Sequence, residues 1–94
     1  MAVACRALIH PNVRFIANQE GAVLLHLDRG RYQSLNGTGA AIWGDLMSGA
    51  SSDEIVSRVC ERFPQTPHDR IRSDVARFLD ALAARGLVTL EPLP

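Results

Sequence analysis

In the stretch Gly30-Arg31-Tyr32-Gln33-Ser34-Leu35-Asn36-Gly37-Thr38-Gly39-Ala40-Ala41-Ile42-Trp43-Gly44-Asp45-Leu46-Met47, the hydrophobic period changes from two to 3.6. Gly30 supplies the left-handed position of a tight turn, and Tyr32 to Leu35 is a short β-prone run. After Asn36, the residues Ala40, Ile42, Trp43, Leu46 and Met47 fall on one side of a helix. Asn36 or Thr38 is its cap, and Ser48-Gly49 is its end. A strand that leads into helices, with no further strand directly behind it, leaves one sheet edge unpaired.

Working outward toward the N-terminus, Val13 to Asn18 is a short β-prone run, and Asn18-Gln19-Glu20-Gly21 is a hairpin loop. Ala22 to Leu27 is a second strand, with Val23, Leu25 and Leu27 on one face and Ala22, Leu24 and His26 on the other. Asp28-Arg29-Gly30-Arg31 turns the chain into the third. Residues 1 to 12 lack a clear period and end at the turn-like His10-Pro11-Asn12.

On the C-terminal side, Ser51-Ser52-Asp53-Glu54 has the spacing of a capping box, and Ile55, Val59, Cys60 and Phe63 form the apolar face of a second helix that Pro64 stops. Thr66-Pro67 predicts a cap and a first-turn proline for a third helix, with Asp69 where the helix dipole favours an acid. Ile71, Val75, Phe78, Leu79 and Leu82 form its stripe, and Arg85-Gly86 closes it. Leu87 to Leu90 suits a short final strand. The predicted fold is α+β: a winged helix-turn-helix with a three-stranded antiparallel sheet packed on three helices. It forms a single domain over residues 1–94, with its core over about 13–90.

Composition sets further bounds. Ninety-four residues, 47% hydrophobic and 21% charged, make one folded domain rather than a multidomain enzyme or a disordered segment. Ten Arg and no Lys oppose ten Asp plus Glu, so the net charge is zero, which argues against a dedicated nucleic-acid binder. No window approaches the about 18 apolar residues of a membrane span. Ala2-Val3-Ala4-Cys5 has a faint likeness to a lipoprotein cleavage box, but no basic stretch or apolar run precedes it. Cys5 and Cys60 read as two reduced thiols of a cytoplasmic protein.

Chemistry-bearing motifs are sparse. His10, His26 and His68 are scattered over a loop, a strand and a helix start, so no metal is expected. Gly37-Thr38-Gly39 is a lone G-x-G without the further Gly or Lys of a phosphate loop, and Asp53-Glu54 is helix-start charge. With no nucleophile motif, neither enzymatic activity nor a cofactor is expected. Arg70, Asp74, Arg77 and Arg85 line one flank of the third helix. In a winged-helix regulator that flank would contact DNA phosphates, a role opposed by Asp69, Asp74 and Asp80. The unpaired edge at Tyr32 to Leu35 suggests recruitment of an extended peptide as an added strand, in a groove completed by the third helix.

The run from Gly30 to Trp43 resembles the pattern G-x-Y-x-x-L-N-x-x-G-x-x-I-W of the PqqD-like family. Asp74-Val75, Phe78-Leu79, Leu82 and Gly86-Leu87-Val88 resemble its closing segment. The resemblance implies a RiPP recognition element, a non-catalytic domain that binds the leader of a ribosomally made precursor peptide. The leader adds a strand beside the third helix, and the domain presents it to separate enzymes, here a leader peptidase and a cyclase. Carried onto this chain, the binding edge is Arg31, Tyr32, Gln33, Ser34 and Leu35, and the helix side is Asp69, Arg70, Asp74, Val75, Arg77 and Phe78. Leaders of lasso-peptide precursors in this family often carry Tyr-x-x-Pro, which implies an apolar pocket of Leu35, Val75 and Phe78. The overall pattern is most similar to the stand-alone leader-binding proteins of lasso-peptide pathways. The alternative branch is the pyrroloquinoline-quinone chaperone that serves a radical-SAM enzyme.

Overall fold

Two hairpins and three capped helices account for most of the architecture. The computed structural model describes residues 4–93. Strands β1 (Cys5–Ile9), β2 (Val13–Ala17), β3 (Gly21–His26) and β4 (Arg31–Asn36) precede helices α1 (Gly37–Met47), α2 (Ser52–Arg62) and α3 (His68–Ala84), and strand β5 (Val88–Pro92) follows. The order β2-β3-β4 forms an antiparallel three-stranded sheet, as the sequence predicts, and β1 pairs antiparallel with β5 in a second, two-stranded sheet.

The strand β1 forms in a stretch where the sequence shows no clear period. Only Ala7 of β1 is buried, Arg6 and Leu8 are exposed, and its partner lies about eighty residues away, at Val88 to Pro92. A strand with one buried side chain and a partner so distant carries no local period. It is anchored instead by the ladder to β5 and by the Cys5 amide, which donates to Ser52 Oγ at 2.8 Å.

The helix starts follow from single side chains. Asn36, one of the two residues expected to cap α1, accepts from the Gly39 amide at 2.8 Å. Ser51 Oγ accepts from the Glu54 amide at 3.2 Å, and Glu54 Oε1 accepts from the Ser51 amide at 3.1 Å, completing the capping box of α2. At α3 the expectation of a Thr66 cap fails. The helix starts one residue later, Pro67 occupies the cap position, and no side chain caps it. The Pro67 carbonyl instead accepts from the amides of Arg70 and Ile71.

Trp43, Leu24 and Ile55 are the most deeply buried large side chains, joined by Leu35 and Ile42 and by Ile71, Val75, Leu79 and Leu82 of α3. Met47 and Phe63, expected on apolar helix faces, are instead exposed. Met47 is the last residue of α1 and Phe63 the C-cap of α2, so both extend past the helix turns that the core covers. Asp45, on α1, accepts from Arg58 and Arg62 of α2 at 3.0 and 3.2 Å, clamping the two helices at their solvent side.

Two measurements test this account. Gly21 has φ of +156°, and a Cβ there would fall on the Leu35 carbonyl oxygen, so Gly21→Ala is expected to cost about 2 kcal/mol in urea unfolding. Loss of the cap in Ser51→Ala is expected to cost about 1 kcal/mol. The bonds from the Ser51 backbone and side chain hold the Glu54 carboxyl below its ordinary 4.5. Its stabilising effect is therefore complete above that value and lost as acid protonates it. Between about pH 5 and about pH 3, Ser51→Ala should lose less stability than the parent.

Candidate functional site: an open strand edge beside a groove

The hairpin at Asn18 decides which backbone groups of β4 remain free. The Asn18 amide donates to the Gly21 carbonyl at 2.9 Å, and the Leu27 amide to the Asn12 carbonyl at 2.9 Å. In an antiparallel ladder, bonded pairs alternate, so Gly21, Val23, Leu25 and Leu27 turn their N–H and C=O groups toward β2. Ala22, Leu24 and His26 therefore turn theirs toward β4, where they face Leu35, Gln33 and Arg31. The backbone groups of Tyr32 and Ser34 are left pointing away from the sheet. Consistent with this, the Ser34 carbonyl accepts from the side-chain amide of Gln33 at 3.1 Å.

Beside this edge lies a groove of about 550 Å³, walled by β4 and α3, with the start of α1 and the end of α2 closing its ends. Leu35, Ile42, Val59, Ile71 and Val75 form an apolar floor, all buried, and Phe78 stands half-buried on the α3 wall. On the rim Asp74 lies 3.9 Å from Arg70 and 2.7 Å from Arg77. These exposed pairs are screened by water and contribute little energy.

Of the residues singled out in the sequence, Gln33, Ser34, Leu35, Arg70, Asp74, Val75 and Phe78 line this groove. Arg31 and Tyr32 lie further along β4, where they line a separate small cleft. Asp69 and Arg77 are exposed on α3 and are not part of the groove wall, although Arg77 reaches it through Asp74. Thr38, Ile42, Val59, Phe63, Thr66 and Ile71 also line the groove and were not singled out for it. Ile42, Val59 and Ile71 are indistinguishable from core residues by periodicity. Phe63, a large aromatic just before a helix-stopping proline, was the one visible signal.

Among the described residues, no three His, Cys, Asp or Glu side chains are grouped so as to hold a metal ion, and no helix is long and apolar enough to cross a membrane. Cys5 and Cys60 are both free and half-buried.

A small sheet whose unpaired β4 edge is set against a helix across an apolar groove defines a peptide-docking class of domain. The profile of the family described as Coenzyme PQQ synthesis protein D (PqqD) matches residues 21–88, and the chain belongs to that family. Among solved structures it is similar to TbiB1 in complex with the TbiA(beta) leader peptide. The two share 32% identity and a TM-score of 0.81 over 86% of this chain and 93% of that one. It also has the fold of a lasso peptide synthetase B1 complexed with the leader peptide, at 23% identity and a TM-score of 0.79, over 89% of this chain and 98% of that one. No curated protein sequence matches the chain.

The ladder assignment has a direct readout in amide hydrogen exchange. The Gln33 and Leu35 amides should exchange slowly, and those of Tyr32 and Ser34 fast. The reverse order would place the free edge groups on the wrong residues.

Proposed function

We propose that this protein is a RiPP recognition element that binds the leader of a ribosomally synthesised precursor, most closely of the lasso-peptide kind, as a fourth strand on β4. The observation that carries it is the open edge at Tyr32 and Ser34 running along an apolar groove. The 32% identity to a protein solved with a leader peptide supports the choice of ligand. Backbone groups of the edge give affinity for any extended chain, and the floor around Leu35, Val75 and Phe78 selects which side chains enter. The eleven residues assigned to binding divide accordingly: Tyr32 and Ser34 as edge, Gln33 and Leu35 as groove lining, Val75 and Phe78 as floor and wall, Arg70 and Asp74 as rim, and Arg31, Asp69 and Arg77 as flanks. The domain acts without catalysis, in the cytoplasm, holding the leader for a separate peptidase and cyclase.

The test is fluorescence anisotropy with the labelled leader of the precursor encoded beside this chain, against a scrambled peptide. Saturable binding tighter than about 1 μM, or about 8 kcal/mol, is expected for the leader alone. Ser34→Pro removes an outward donor from an edge strand, so it should fold normally and bind at least tenfold more weakly. Gln33→Pro removes a donor to β3 and should instead lower stability. Equal binding of the scrambled peptide, or unchanged affinity in a folded Ser34→Pro, would overturn the proposal. Preference for a pyrroloquinoline-quinone precursor peptide would move the protein to the branch named by the family profile.

A further inference from the structure

Five of the ten arginines are neutralised where they stand: Arg58 and Arg62 on Asp45, Arg70 and Arg77 on Asp74, and Arg72 on Asp53. Arg14 donates to the carbonyls of Pro11 and Val13, and Arg6 lies in the field of Glu54. The other three, Arg29, Arg31 and Arg85, have no carboxylate partner among the described residues, yet all three line one cleft. They come from three places in the sequence: the β3–β4 turn, the first residue of β4, and the C-cap of α3. Arg85 sits where a helix C-terminus favours a cation, but no such feature accounts for Arg29 and Arg31.

The cleft is built rather than incidental. Gly86, at φ +75°, leaves room for the Arg29 guanidinium, whose atoms lie 3.1–3.2 Å from where a Cβ would stand. Arg85 Nη1 donates to Gln33 Oε1, which fixes it over the strand. His26 forms part of the wall, only 4% exposed, with its ring 4.6 Å from that of His10. His26 Nδ1 is buried and lacks a hydrogen-bond partner. His26 lines the same cleft as three guanidinium groups without a carboxylate partner, and that gathering of cations points to a missing anion. The cleft holds about 50 Å³, against the roughly 10–15 Å³ that a single water needs, so it has room for a small group such as a carboxylate.

We propose that this cleft is a carboxylate-binding subsite, filled by an Asp or Glu side chain of the peptide that adds to β4. The proposal rests on the leader-binding reading and extends it. Every strand pair among the described residues is antiparallel, and an antiparallel addition to β4 runs from beside Asn36 toward Arg31. The acidic residue therefore belongs to the C-terminal part of the bound segment. Guanidinium forks suit a carboxylate, and the cleft includes Arg31, Tyr32 and Gln33 of the same strand whose edge holds the peptide backbone.

The experiment compares two peptides, the leader used above and the same leader with every Asp and Glu replaced by Asn and Gln, on the parent protein and on the variant R29Q/R31Q/R85Q. All three arginines are exposed, and unchanged urea unfolding verifies that the variant folds. The parent should bind the acidic leader at least tenfold tighter than the amide leader, a difference of about 1.4 kcal/mol that shrinks with added salt. The variant should bind both peptides alike. The His26 imidazole nitrogen resonances should shift with the acidic leader and stay in place with the amide leader. If the parent binds neither peptide, the leader-binding reading falls and this subsite with it. If the parent binds the leader but the variant binds it equally well, or the amide leader binds the parent as tightly, only the carboxylate subsite is overturned.

Discussion

The constraint on which the rest depends is the alternation of backbone hydrogen bonds across the β3–β4 ladder. Once the Asn18–Gly21 hairpin sets the phase, each residue of β3 faces one neighbour and not the other. The phase passes to β4 and leaves Tyr32 and Ser34 with outward donors and acceptors. Gly21 guards this arrangement, since any side chain there would meet the Leu35 carbonyl just where β4 ends. An unpaired edge usually invites aggregation. Here it is six residues long, carries the exposed charge of Arg31, and has the outward Ser34 carbonyl covered by the Gln33 side chain.

The turn from β4 into α1 gives that edge its neighbour. Asn36 ends the strand and caps the helix in the same residue, so the chain leaves the sheet before it can supply a fourth strand. The helices then pack around Trp43 and bring α3 alongside the edge, with Val75 on the floor and Phe78 on the wall of the groove. In the proposed function, recognition is divided between a backbone that binds any extended chain and an apolar floor that discriminates. On the rim, Asp74 is paired with Arg70 and with the flanking Arg77, exposed contacts of little energy.

A neutral chain can still be polarised locally. Half of the arginines are consumed in pairs that hold helices together or decorate them, whereas Arg29, Arg31 and Arg85 converge at one end of the edge. Net charge, read as evidence against a nucleic-acid partner, says nothing about such a cluster, because the sum over the chain discards position.

The sequence by itself determined the elements whose signals are local. The turn at Gly30, the period change at Asn36, the capping box from Ser51 to Glu54 and the stripe of Ile71, Val75, Leu79 and Leu82 each lie within a few residues, and each formed as expected. The motif from Gly30 to Trp43 carried the family as well. What depended on distant partners was decided by the tertiary structure. β1 exists through its pairing with β5, α3 starts without Thr66, and the groove wall includes Val59 and Ile71, which in sequence are ordinary core positions. The cleft of His26, Arg29, Arg31 and Arg85 joins a hairpin to the far end of the last helix. Periodicity measures a side chain's direction relative to its own element. Which residues meet across elements is settled only when the core closes around them.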